Sequence, residues 1–149
     1  MDQIVFNELD DGHAIAGAAG TQFFYPGCIS ICRVRDGVRL GGVVFSGYTG
    51  ESICIHMAGW TPHWGSRDML YVVFDYPFNQ LGVKRIFGQV PETNERALEI
   101  DRKFGFKQVA RVEGVYPHDV ACIVMCMERE DCRFLGIRPR TVVSNRTMN

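Results

Sequence analysis

The sequence predicts an α/β fold: a mixed, mostly antiparallel sheet of six or seven strands, flanked by helices, with one parallel β-α-β crossover. Three observations predict it. Residues 28–35, 38–46 and 51–59 are β-rich runs separated by Asp36-Gly37 and by the reversal Gly47-Tyr48-Thr49-Gly50, the pattern of a three-stranded antiparallel meander. The unit "IHMAGW", a helical stretch and "KRIFGQV" then form a strand–helix–strand crossover, whose two strands run parallel. Finally, "FKQVARVEGVYPHDVACIVMCMERE" predicts a hairpin turning at Pro117-His118-Asp119.

The other elements follow in order. "QIVFNEL" is a first strand, and "DGHAIAGAAGTQF" a short helix with Asp10 or Asp11 as N-cap, weakened by its three glycines. In "GSRDMLYVVFDYPFNQLG", Ser66 is the expected N-cap and Gly82 the stop. Met69, Leu70, Val73, Tyr76 and Leu81 make its apolar face, and Pro77 should kink or end the regular helix. In "TNERALEIDRKFGF", Ala97, Ile100 and Phe104 fall at helical spacing, and Gly105 can take the left-handed conformation that closes a helix. Asp101 sits on or beside that stripe, where a core-facing helix has no use for a carboxylate. Residues 1–135 are expected to form one domain. From Gly136 the tail carries Arg138, Arg140 and Arg146 with no acid, and is expected to be a loose basic end.

Composition narrows the function. A chain of 149 residues can bury its own core. Lys plus Arg number 16 against 17 Asp plus Glu, so there is no electrostatic case for nucleic acid or an anionic membrane. No apolar run approaches the roughly 20 residues that span a bilayer. The start "MDQIVFNELDDG" lacks the basic and apolar regions of a secretory signal, so a cytoplasmic protein is expected. The six cysteines, Cys28, Cys32, Cys54, Cys122, Cys126 and Cys132, include no CxxC pair. They are expected to be reduced thiols serving as small core residues rather than metal ligands.

"FNQLGVKRIFGQVPETNERALEIDRKFGF" resembles the second half of the GCN5-related N-acetyltransferases, and most closely the branch that acetylates protein N-termini, including ribosomal proteins. The pattern is Phe78, Leu81, Gly82, Arg85, Asn94, Ala97, Gly105 and Phe106 in one register over about thirty residues. The element order matches across most of the chain. The ending "MCMEREDCRFLG" also resembles acetyltransferase-like proteins of phage and prophage genomes.

The resemblance implies acetyl-CoA as co-substrate, an amine acceptor and no metal. The pyrophosphate needs convergent backbone N–H groups at a helix start, which points to Gly65, Ser66 and Arg67. The loop departs from the family pattern, because His63 or Arg67 falls where a small residue is expected and Trp64 adds bulk. The pantetheine arm would pair like an extra strand beside Met57, Ala58 and Gly59, with Asn94 near the cofactor. Acetyl transfer needs a neutral amine, oxyanion stabilisation and a proton for the leaving thiolate. His56 on the last meander strand is the candidate base, with Glu51 at the strand's far end as a second. Asp101 falls where many relatives carry a catalytic Tyr; an ordinary carboxyl, with pKa about 3.9, would be ionised at pH 7. Its competing role is an ion pair with Arg102, Lys103 or a neighbouring strand, or a solvated position at the stripe's edge.

Two functions remain open on the sequence. One is direct acetyl transfer to a protein N-terminus, a lysine or a small amine. The other is a catalytically silent module serving as a structural or partner-binding part, a virion component included. The acceptor is not specified by any residue pattern, and the oligomeric state is open, a dimer included.

Overall fold

The computed structural model describes residues 2–22 and 27–137 and the pair 143–144. β1 (Asp2–Phe6) leads through α1 (Leu9–Ala19) into the meander β2 (Ile29–Arg35), β3 (Val38–Ser46) and β4 (Ser52–Gly59). α2 (Arg67–Asp75) crosses to β5 (Arg85–Pro91), α3 (Glu95–Phe104) follows, and β6 (Lys107–Tyr116) and β7 (Val120–Glu128) form the final hairpin. The strands lie in the order β6-β7-β5-β4-β3-β2-β1, with β8 (Val143–Ser144) outside β1. β4 and β5 are parallel, as the crossover requires. The remaining pairs of the main sheet are antiparallel. β8 adds a second parallel pair, drawn from the tail that was expected to be loose. Arg138, Arg140 and Arg146 lie outside the described residues, as does Phe23 of the predicted first helix.

Local chemistry sets the element ends. α2 starts where the Ser66 hydroxyl accepts from the Met69 N–H. Its α-turns stop at Asp75, and residues Tyr76–Gln80 widen into a π-turn closed by Leu81 N–H donating to Tyr76 C=O. Pro77 explains this: it lacks an N–H and its ring crowds the carbonyl four residues back. α3 is capped by Asn94, whose Oδ1 accepts from Ala97 N–H at 3.2 Å, and ended by Gly105 at φ 110°.

Two boundaries differ from expectation. The first strand stops at Phe6 because Asn7 turns to φ 55° and accepts from Ser30 N–H through its side chain. α1 is capped by Glu8 without a side-chain bond, so neither Asp10 nor Asp11 is the cap. Both lie in the first turn, where carboxylates favour the helix dipole, and Asp11 pairs with Arg39 at 2.5 Å.

Residues paired across strands share a face of the sheet. On one face, Ile31, Val43, Ile53 and Ile86 pack under α2 and α3, where Phe74 meets Phe104 edge-on at 6.4 Å between ring centres. On the other, Ile15 and Ala16 of α1 pack on Cys28, Cys32 and Val44. Each large apolar side chain fully buried in these layers contributes about 1.5–3 kcal/mol. All six cysteines are free thiols, four of them buried, as the composition suggested. Among the described residues no helix is long and apolar enough to cross a membrane.

Candidate functional site

The site begins as a short ladder. β4 and β5 share only three residue pairs: Ser52 with Arg85, Ile53 with Ile86, and Cys54 with Phe87. Beyond them β4 stays with β3 through Gly59, and β5 stays with β7 through Pro91. The two strands therefore splay, and their facing backbone groups open on a cleft of about 180 Å³. A parallel pair that stops this early leaves N–H and C=O groups that an extended ligand can satisfy.

The cleft passes through the sheet, and residue parity assigns its walls. Ile53 and Ile86 belong to the α2/α3 side, so Met57, Gly59 and Gly88 lie toward that side. Cys54, His56 and Ala58 lie toward the α1 side with Phe87 and Gln89. On the α2/α3 side the lining includes Asn94, Ala97, Ile100 and Asp101. On the α1 side it includes His56, Gln89 and the end of α1, Ala18 and Ala19.

Asp101 is the central electrostatic feature. It is 9% exposed, and the site of an added Cβ on Gly88 lies 3.4 Å from its carboxylate oxygen. Burial alone pushes its pKa up to about 6. It makes no ion pair or side-chain hydrogen bond among the described residues, and Lys103 pairs with Glu99 instead. The ion-pair and solvated-edge roles considered for Asp101 are therefore both absent. The buried stripe of α3 is also turned by about one residue from the expected one: Leu98 and Asp101 are its buried positions, while Ala97, Ile100 and Phe104 are half-buried.

His56 is half-buried, and burial lowers its pKa, which keeps the imidazole neutral at pH 7. Its Nε2 lies 3.4 Å from the Ser46 hydroxyl. Met57, Ala58 and Gly59 run along the open edge of β4 and line the cleft. Glu51 is not brought to the cleft. It precedes β4 at the closed end of the splay, is well exposed, and pairs with Lys84 at 2.8 Å.

The loop before α2 holds an arrangement that the sequence did not make legible. The Trp64 indole lies on Gly41 and Gly59, cross-strand partners on β3 and β4. An added Cβ would fall 2.4 Å from the ring at Gly41 and 2.1 Å at Gly59, so only glycine admits the ring. Arg33 donates to the Trp64 carbonyl at 3.3 Å and is itself paired with Asp2. Gly65 and Ser66 follow, and Arg67 projects exposed at the helix start with no ion pair among the described residues. These three do not line the cleft, whereas Trp64 does. Gly65 has ordinary room: a Cβ there would meet Leu70 and Phe104 at 3.7 and 3.9 Å.

No protein-family model matches the chain, and no curated protein matches it in sequence. Solved structures do match. A mutant of spermidine N-acetyltransferase SpeG from Vibrio cholerae aligns over 91% of this chain and 96% of its own, at 12% identity and a TM-score of 0.68. The N-acetyltransferase PseH from Campylobacter jejuni, in complex with acetyl coenzyme A, aligns over 70% of each chain at 15% identity and a TM-score of 0.53. The fold of this chain is therefore the one found in N-acetyltransferases of the GCN5-related type.

Proposed function

We propose that this protein is an acetyl-CoA-dependent N-acetyltransferase that moves an acetyl group directly to an amine. The observation that carries the proposal is the splay of β4 and β5 after three pairs, with a buried, unpartnered carboxyl group on one wall and a neutral imidazole on the other. The residues fit the co-substrate. The open edge of Met57, Ala58 and Gly59 would hold the pantetheine arm. The start of α2, with Ser66 and the free guanidinium of Arg67, suits the phosphates. Asn94 lines the same side of the cleft.

Acetyl-CoA supplies an activated acyl carbon; the protons are handled by the chain. His56, which burial keeps neutral at pH 7, has a free ring nitrogen to take the proton of the incoming ammonium. With its pKa raised to about 6, Asp101 keeps a protonated fraction at pH 7 that an exposed carboxyl lacks, and that fraction can give its proton to the leaving thiolate. A protein N-terminus, a lysine or a small amine all satisfy this chemistry. Trp64 over Gly59 favours a second reading, in which the crowded loop excludes the cofactor and the fold serves as a silent partner-binding module.

Thermal unfolding with acetyl-CoA separates the two. At 100 times its dissociation constant the ligand raises stability by about 2.7 kcal/mol, several degrees for a chain this size. An unchanged melting temperature at millimolar acetyl-CoA would remove the transferase proposal and leave the silent module. For the base, His56→Gln is expected to lower kcat by about 10²–10⁴-fold. The acidic limb of the pH–rate profile should vanish with it; a limb that survives assigns that proton to another group.

A further inference from the structure

We infer that Gln89 positions the acceptor amine, on the α1 side of the cleft and opposite His56, and that the site takes an unbranched primary ammonium. The role as acceptor site rests on the transferase proposal, but the placement comes from register. Cys54 and Phe87 are paired across β4 and β5, so His56, two residues along β4, and Gln89, two residues along β5, project to the same side. They stand on opposite lips of the splay, both lining the cleft. Gln89 also sits on the stretch of β5 that has left β4, so its strand edge is open on the β4 side while β7 pairs with it on the other. It is exposed, and its carboxamide has no hydrogen-bond partner among the described residues. A free carboxamide oxygen at a cleft lip is a ready acceptor for an N–H donor.

The charge of the ligand follows from what surrounds this lip. Among the described residues no Lys or Arg lines the cleft. The end of α1 reaches the same lip at Ala18 and Ala19, with no basic residue in its last turn. A helix C-terminus carries partial negative charge on its last carbonyls, which favours a cation. The walls otherwise offer Ala18, Ala19 and Ala58, small groups that suit a narrow alkyl chain more than a branched or aromatic one. A carboxylate ligand would meet no compensating charge here.

The test uses n-butylammonium chloride as probe, titrated into ¹⁵N-labelled full-length protein without acetyl-CoA. The Gln89 side-chain NH₂ signals are assigned by their loss in Gln89→Leu. These signals and the His56 ring signals should shift saturably with n-butylammonium and stay still with sodium butyrate. Gln89→Leu should weaken the fitted Kd at least fivefold, and Gln89→Glu, which keeps an accepting oxygen, should restore it to within twofold or tighten it. Gln89 signals that do not move, equal shifts with butyrate, or an unchanged Kd in Gln89→Leu overturn the inference. A parallel titration with acetyl-CoA reads the transferase proposal separately, at the Trp64 indole and the Asn94 side chain. Their failure to respond sinks that proposal while the amine result stands or falls alone.

Discussion

Asp101→Asn is expected to make the protein more stable at pH 8 and no more stable at pH 3. The folded carboxyl has a pKa raised from 3.8 to about 6 by burial, so the folded state binds its proton more tightly than the unfolded chain does. The stability that this proton gives is fully present below the unfolded pKa near 4 and is lost as pH rises through about 6. Above pH 7 the native protein therefore carries a buried, unpaired charge that the unfolded chain exposes to water. The tighter hold on the proton corresponds to about 3 kcal/mol, an upper figure because water reaches part of the cleft. Asparagine has nearly the same shape and no charge, so it removes the penalty at high pH and changes little below pH 4. The check is a pair of denaturant curves on each protein, at pH 3 and pH 8. A difference of the same size at both pH values would refute the account. The same variant should lose about 10²–10⁴-fold in kcat if Asp101 supplies the leaving-group proton. Higher stability with lower activity is the usual signature of a group held in an unfavourable state for function.

The second large effect lies at Gly59. Its φ is not in the left-handed region, so an alanine there strains no backbone. The nearest obstacle is the Trp64 ring, whose Nε1 would lie 2.1 Å from the new Cβ. Gly59→Ala should therefore expel the indole from its seat, at about 1–3 kcal/mol by analogy with overpacked cores. Trp64→Ala in the same chain should recover most of that loss, because the clash disappears with the ring. A double-mutant cycle reads this as a coupling energy above about 1 kcal/mol. Additive losses would show that Gly59 matters for another reason. Acetyl-CoA affinity in Gly59→Ala is a further readout, since the indole borders the cleft where the cofactor arm is proposed to lie.

Much of the fold was legible because the signals are local. The meander boundaries follow from Asp36-Gly37 and the Gly47–Gly50 reversal, and the helix ends from Ser66, Asn94, Pro77 and Gly105, each acting on its immediate neighbours. The depth of the α3 stripe was less legible. Ala97, Ile100 and Phe104 have helical spacing, but a rotation of one residue, which puts Leu98 and Asp101 innermost, depends on how the helix seats on β5. The site was partly legible. His56, the Met57–Gly59 edge, Asn94 and Asp101 line one cleft, whereas Glu51 lies off it, before β4 at the closed end of the splay and paired with Lys84. Gln89 could not be found from the sequence, since a polar residue at an alternating strand position ordinarily faces solvent. Its significance depends on where β4 and β5 part. Trp64 looked like bulk in a loop; its two glycine partners are 23 and 5 residues upstream, and only the β3–β4 register brings them under one ring.

The three-pair seam between β4 and β5 has a mechanical consequence. Among the described residues it is the only backbone ladder joining the meander to the β5–β7–β6 half of the sheet. Two plates so joined share side-chain packing but little hydrogen bonding, so opening the seam costs few backbone bonds. Amides of Ser52–Cys54 and Arg85–Phe87 that bridge the plates should exchange with solvent by a sub-global opening, well before those inside the β2–β3 and β5–β7 ladders. An extended molecule lying in the splay would staple the plates together. Its binding should then slow exchange across the seam, far from the atoms it touches.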